Sequence, residues 1–99
     1  MIIGVLTLTF RLHGNHSLKG KRQTANSLKQ KLRNKFNVAV SEIEAMDDPK
    51  RLVLALATVA NETRKVESRL SKALALAEAA TAEEMIDSRM EIFSVHPET

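Results

Sequence analysis

Eight basic residues and no acidic one lie between positions 11 and 36: Arg11, Lys19, Lys21, Arg22, Lys29, Lys31, Arg33 and Lys35. The other seven basic residues and all twelve acidic ones lie elsewhere, so this window carries +8 and the rest −5, against a net charge of +3. Lysine and arginine gathered in this way neutralise phosphates and gain free energy by releasing counterions. A local positive field of this kind selects an anionic partner such as RNA or a ribosomal particle. Helical spacing puts Arg22, Asn26, Lys29 and Arg33 on one ridge and Lys31 and Lys35 on the other flank. Lys19, Arg22, Lys29 and Arg33, with Arg11 on the preceding segment, are therefore the candidate phosphate contacts. The competing reading is a solvated face that keeps the protein in solution.

Other chemistry is thinly represented. His13 and His16 are three apart, but no third ligand is near them in sequence, so no metal site is expected. Glu42, Glu44, Asp47 and Asp48 form a carboxylate cluster, and paired carboxylates can do acid–base work. They flank turn residues and are expected to be solvated. His16 and Ser17 are sequence neighbours, which is not the geometry of a nucleophile and its base. There is no cysteine and no glycine-rich phosphate loop. No catalytic residue, no cofactor and no enzyme activity are expected. Trp and Tyr are absent and Phe occurs three times, which disfavours recognition by stacking bases on rings.

The elements that must position these residues follow from hydrophobic period. Residues 2–13 begin apolar and then alternate, with Leu6, Leu8, Phe10 and Leu12 on one side and Thr7, Thr9, Arg11 and His13 on the other, as in a strand. Gly14-Asn15-His16-Ser17 is turn sequence, and Ser17 or Asn15 can cap a helix. Leu18, Ala25, Leu28, Leu32 and Phe36 then share one helical stripe. Lys21 falls beside that stripe and is expected to lay its stem over the core edge with its ammonium in water. Residues 37–43 alternate again, and Asp47-Asp48-Pro49 makes a turn. The apolar run 51–60 fits either a helix or a buried strand, and its length, its bounding turn and its Val and Thr content favour a central strand. Asn61 is the expected cap of a second helix, with Thr63, Val66, Leu70, Ala73, Leu74 and Ala77 on its stripe. A last strand, 85–95, puts Ile86, Met90 and Ile92 inward, and 96–99 is a tail.

The order β-α-β-β-α-β predicts one α+β domain over residues 1–99: a ferredoxin-like sandwich with two helices on one face of a four-stranded antiparallel sheet. Its central strands are the first and third, the two that read as apolar on both sides. An apolar open face is most simply covered by a second copy, so a homodimer is expected. The N-terminal apolar run is too short to cross a bilayer and has no leader pattern, so no membrane association is expected.

Three spaced stretches now allow a comparison: Met1-Ile2-Ile3-Gly4-Val5, Ser17-Leu18-Lys19-Gly20-Lys21-Arg22, and Arg33-Asn34-Lys35-Phe36-Asn37-Val38-Ala39-Val40-Ser41-Glu42. Together they resemble the YlxP-like family of small bacterial proteins of unassigned function. The resemblance extends to Arg51 and Asn61 and covers nearly the whole chain. It implies a ferredoxin-like fold and a cytoplasmic setting, beside genes for translation and ribosome maturation. It brings no catalytic residues. One departure stands out: members often carry Trp-Gln-Arg before the third strand, where this chain has Pro49-Lys50-Arg51. The combined expectation is a cytoplasmic, non-enzymatic protein that binds RNA or a ribosomal surface through its first helix, or alternatively a homodimeric adaptor or small-ligand module.

Overall fold

The computed structural model describes residues 1–96; the expected tail beyond His96 lies outside the described residues. Six elements follow in order: β1 (Ile2–Arg11), α1 (Leu18–Lys35), β2 (Ala39–Glu44), β3 (Arg51–Ala60), α2 (Thr63–Ala79) and β4 (Glu84–Ser94). The strands pair antiparallel in the order β2-β3-β1-β4. This is the expected ferredoxin-like sandwich, and the run 51–60 is its central strand, as expected. No helix among the described residues is long and apolar enough to cross a membrane.

Alternation in β1 decides which face of the sheet is covered. Leu6, Leu8 and Phe10 are fully buried beneath the helices with Leu52, Leu54 and Leu56 of β3. Above them lie Ala25, Leu28 and Leu32 from α1 and Val66, Leu70, Ala73 and Ala77 from α2. Each large aliphatic side chain removed from water here contributes about 1.5–3 kcal/mol. Gly4 lets α2 approach closely: a Cβ there would stand 2.3 Å from Val66 Cγ1 and 2.7 Å from Leu70 Cδ1.

Local chemistry sets the boundaries. β1 stops at Arg11, short of the expected 13, and Gly14 turns the chain at φ +73°. Ser17 Oγ accepts from the Gly20 N–H at 3.0 Å and caps α1 as expected. The β2–β3 turn is closed by the Asp48 carboxylate, which accepts from the Lys50 N–H at 2.9 Å. The cap of α2 is Glu62 rather than Asn61, with no side-chain bond to the helix. Asn61 instead accepts from Lys65 Nζ at 3.2 Å.

The last strand departs from its simple period. The register between β1 and β4 shifts between Thr9 and Phe10, so Phe10 faces Met85 and Thr9 faces Asp87. Ile86 falls in the irregularity and is exposed, while Met85 takes the place against the core. Met90 has the inward register of Leu6, but β4 is an edge strand and leaves it 37% exposed.

The open face of the sheet divides into two parts. Ile3, Val59 and Phe93 stand side by side at one end, where Val59 and Phe93 are exposed. Towards the other end Thr7 and Thr9 floor a trough walled by Asp87, Arg89 and Glu91 on one side and Ile43, Glu44 and Arg51 on the other.

Candidate nucleic-acid interface

Helix α1 has no acidic residue, and its cations sit on both sides of the buried stripe Lys21, Ala25, Leu28 and Leu32. Lys19 and Arg22 are exposed and Lys29 is half-buried on the flank turned away from α2. Arg33 lies on the same flank, where its guanidinium donates to the Val40 carbonyl of β2 at 2.8 Å. It therefore braces the helix against the sheet edge and has fewer donors left for a ligand. Among the described residues, no carboxylate stands within ion-pair distance of any α1 cation except Lys21.

Arg11 is placed elsewhere. It occupies the open face of the sheet, opposite to the side that α1 covers. Its neighbours are His13, His16, Lys50 and Arg51, around a cavity of about 610 Å³ at the sheet end. The fold thus brings Lys19, Arg22, Lys29 and Arg33 together but separates Arg11 from them. His13 Nε2 lies 2.8 Å from Glu84 Oε1. No group of three or more metal-ligating side chains occurs among the described residues.

Lys21 corrects the expectation of a solvated ammonium, since only 1% of its side chain is exposed. Nζ donates to the carbonyls of Ala45 and, at 2.9 Å, Asp48. Glu42 Oε2 lies 2.9 Å from the same nitrogen but outside hydrogen-bond geometry, so that contact is charge attraction without alignment. Glu42 is therefore not a solvated member of a carboxylate cluster. Ala45 holds the left-handed φ of +56°, a costly conformation for a residue with a Cβ. Asn15 reinforces the clamp, donating to Ser17 O at 2.9 Å and to the Pro49 carbonyl. A Cβ on Gly20 would fall 2.2 Å from Asn15 Oδ1. The stretch Ser17-Leu18-Lys19-Gly20-Lys21 thus caps α1 and fastens it to the β2–β3 turn.

A second basic surface lies on α2. Arg64, Lys65, Arg69 and Lys72, with Ser68, line an open groove of about 500 Å³ beside Phe36. Arg69 is partly committed, donating to Thr58 Oγ1 at 2.5 Å and to Val59 O at 3.2 Å. Along its length α2 contains both charge signs, but no carboxylate lines this groove. Counting 100° per residue would have found that segregation in the sequence.

The family model described as "Protein of unknown function (DUF503)" matches residues 3–90, from β1 to the middle of β4. The chain belongs to the DUF503 family. No curated protein matches this DUF503 sequence. A structure provisionally assigned as a chlorite dismutase is similar, with a TM-score of 0.52 and 8% identity, over 95% of this chain and 45% of its own. This DUF503 chain therefore spans less than half of that protein. A provisionally assigned antibiotic biosynthesis monooxygenase from Deinococcus radiodurans has a TM-score of 0.49 and 17% identity, over 100% of this chain and 96% of its own. At 8% identity the likeness to the first of these is one of fold alone.

Proposed function

We propose that this DUF503 protein is a cytoplasmic, non-enzymatic binder of RNA or of a ribosomal surface, with the exposed side of α1 as the contact. The observation that carries the reading is the uncompensated charge of α1. Its outward cations have no carboxylate within ion-pair distance among the described residues. A helix that only needed solubility would gain from i,i+4 pairs of opposite sign, and α1 has none. The finer resemblance to YlxP-like proteins, whose genes sit beside those for translation, supports the same reading.

The mode is backbone contact rather than base readout. Three to five lysine or arginine contacts to a single strand give a log–log slope of affinity against salt of about −2 to −3.5. Anisotropy of a labelled RNA oligonucleotide, titrated at several salt concentrations, measures that slope. Little preference among sequences is expected, because phosphate contacts position without specifying. A slope near zero, or no binding at low salt, removes the RNA reading.

A homodimer belongs to the same proposal. Ile3, Val59 and Phe93 offer an apolar patch on the open face that a second copy would cover. Sedimentation at rising protein concentration is expected to show self-association. A monomer throughout would leave the patch to another protein and favour the adaptor alternative.

A further inference from the structure

The cavity at the sheet end is a separate feature. Its walls come from the loop after β1, which supplies His13, Gly14 and His16, and from the β2–β3 turn, which supplies Asp48, Lys50 and Arg51. The two walls are tied by the Asn15 bond to the Pro49 carbonyl and by the Leu12 N–H donating to Lys50 O at 2.8 Å. Arg11 and Arg51 are direct cross-strand partners in the β1–β3 ladder. Both side chains line the cavity and both are exposed. Like charges directly opposite in a sheet repel each other.

Nearby carboxylates do not relieve that repulsion. Asp48 lines the cavity, but one of its oxygens accepts from the Lys50 N–H. Glu84 stands opposite Arg11 in the β1–β4 register, yet its carboxylate contacts His13. Glu44 and Asp87 share the neighbouring trough with Arg51. Among the described residues, none of these lies within ion-pair distance of either arginine. Two guanidinium forks and a lysine around one cavity suit a multiply charged oxyanion, which arginine holds through paired parallel bonds.

From this we infer that the cavity binds a phosphate or diphosphate group between Arg11 and Arg51. The site is independent of the α1 surface and goes beyond the function proposed for it. The group could belong to a mononucleotide or to the 5′ end of an RNA. The two sources differ only in what lies beyond the phosphate.

The test is thermal unfolding of the full chain with inorganic phosphate or pyrophosphate, at ionic strength held constant with chloride. A ligand at tenfold excess over its Kd is expected to raise Tm by on the order of 5 °C. Arg11→Gln and Arg51→Gln should each abolish the rise. Neither should lower the Tm of the unliganded protein, since each removes a repulsion. If Arg51→Gln fails to fold, Arg51→Lys keeps the charge but loses the fork and should weaken binding at least tenfold. Lys19→Glu should leave the response intact. A nucleoside diphosphate binding at least as tightly as pyrophosphate supports the site with a mononucleotide as the source. A 5′-phosphorylated oligonucleotide binding about tenfold tighter than its 5′-hydroxyl twin supports it with an RNA end as the source. Equal stabilisation by chloride alone, or an undiminished response in both Gln variants, overturns the inference.

Discussion

Lys21→Met is expected to lose about 3–5 kcal/mol of stability, the usual cost of removing one partner from a buried ion pair. The size follows from what the ammonium leaves behind. The Ala45 and Asp48 carbonyls lose their donor, and the Glu42 carboxylate, only 15% exposed, loses its counter-charge. Ala45 also keeps its left-handed backbone with less to hold it there. A domain of this size has about 5–15 kcal/mol in total, so the variant stands near the edge of folding. Urea denaturation measures the loss as a lower midpoint with an unchanged slope. Adding Glu42→Leu to Lys21→Met should recover part of it, because the stranded charge is then gone; the double-mutant cycle gives the coupling. A Lys21→Met midpoint matching the native one would show that the clamp contributes nothing.

The clamp also shows where sequence reasoning stops. Lys21 stands four residues before Ala25 on the apolar stripe, so its position was legible. Its partners come from a turn more than twenty residues away, and nothing local announces that carbonyls there converge on one point. Long side chains at such a position usually reach water, and here the turn arrives first. The Ile86 expectation failed for a similar reason. Strict alternation assumes an unbroken ladder, and the irregularity between Thr9 and Phe10 depends on pairing with β1. By contrast, the element order and the covered face of the sheet were legible, because period two and period 3.6 follow from burial on one face. The run Arg51–Ala60 was resolved by its bounding turn and its length.

The candidate site was legible in charge but not in place. Alternation puts Arg11 on the side opposite Phe10 and Leu12, and the helices cover the side of those two residues. Arg11 could not therefore join a ridge on α1, although it lies in the same acid-free window. The cross-strand meeting of Arg11 with Arg51 is a property of register. Forty residues separate them in the chain, and neither position alone suggests the other.

Replacing Lys19, Arg22 and Lys29 together by Glu should weaken RNA binding by about 100-fold or more at 0.1 M salt. Each neutralised phosphate adds about 0.7 to the slope for a single strand. With three phosphates no longer neutralised, affinity falls by roughly two decades over the decade of salt below 1 M. Repulsion from the new carboxylates deepens the fall. The salt slope itself should flatten by about 2. The fold should survive, because these side chains lie off the stripe of Ala25, Leu28 and Leu32. Glu at position 19 even places a negative charge in a first turn that has none, where the helix dipole favours it. Arg33 is left in place because its bond to Val40 O braces α1. The companion variant reverses Arg64, Lys65 and Lys72 on the groove beside Phe36. Weakened binding in the first variant alone assigns the contact to the outer side of α1, and in the second alone moves it to the groove. If both retain full affinity, the acid-free window is a solvated face and the adaptor reading takes its place.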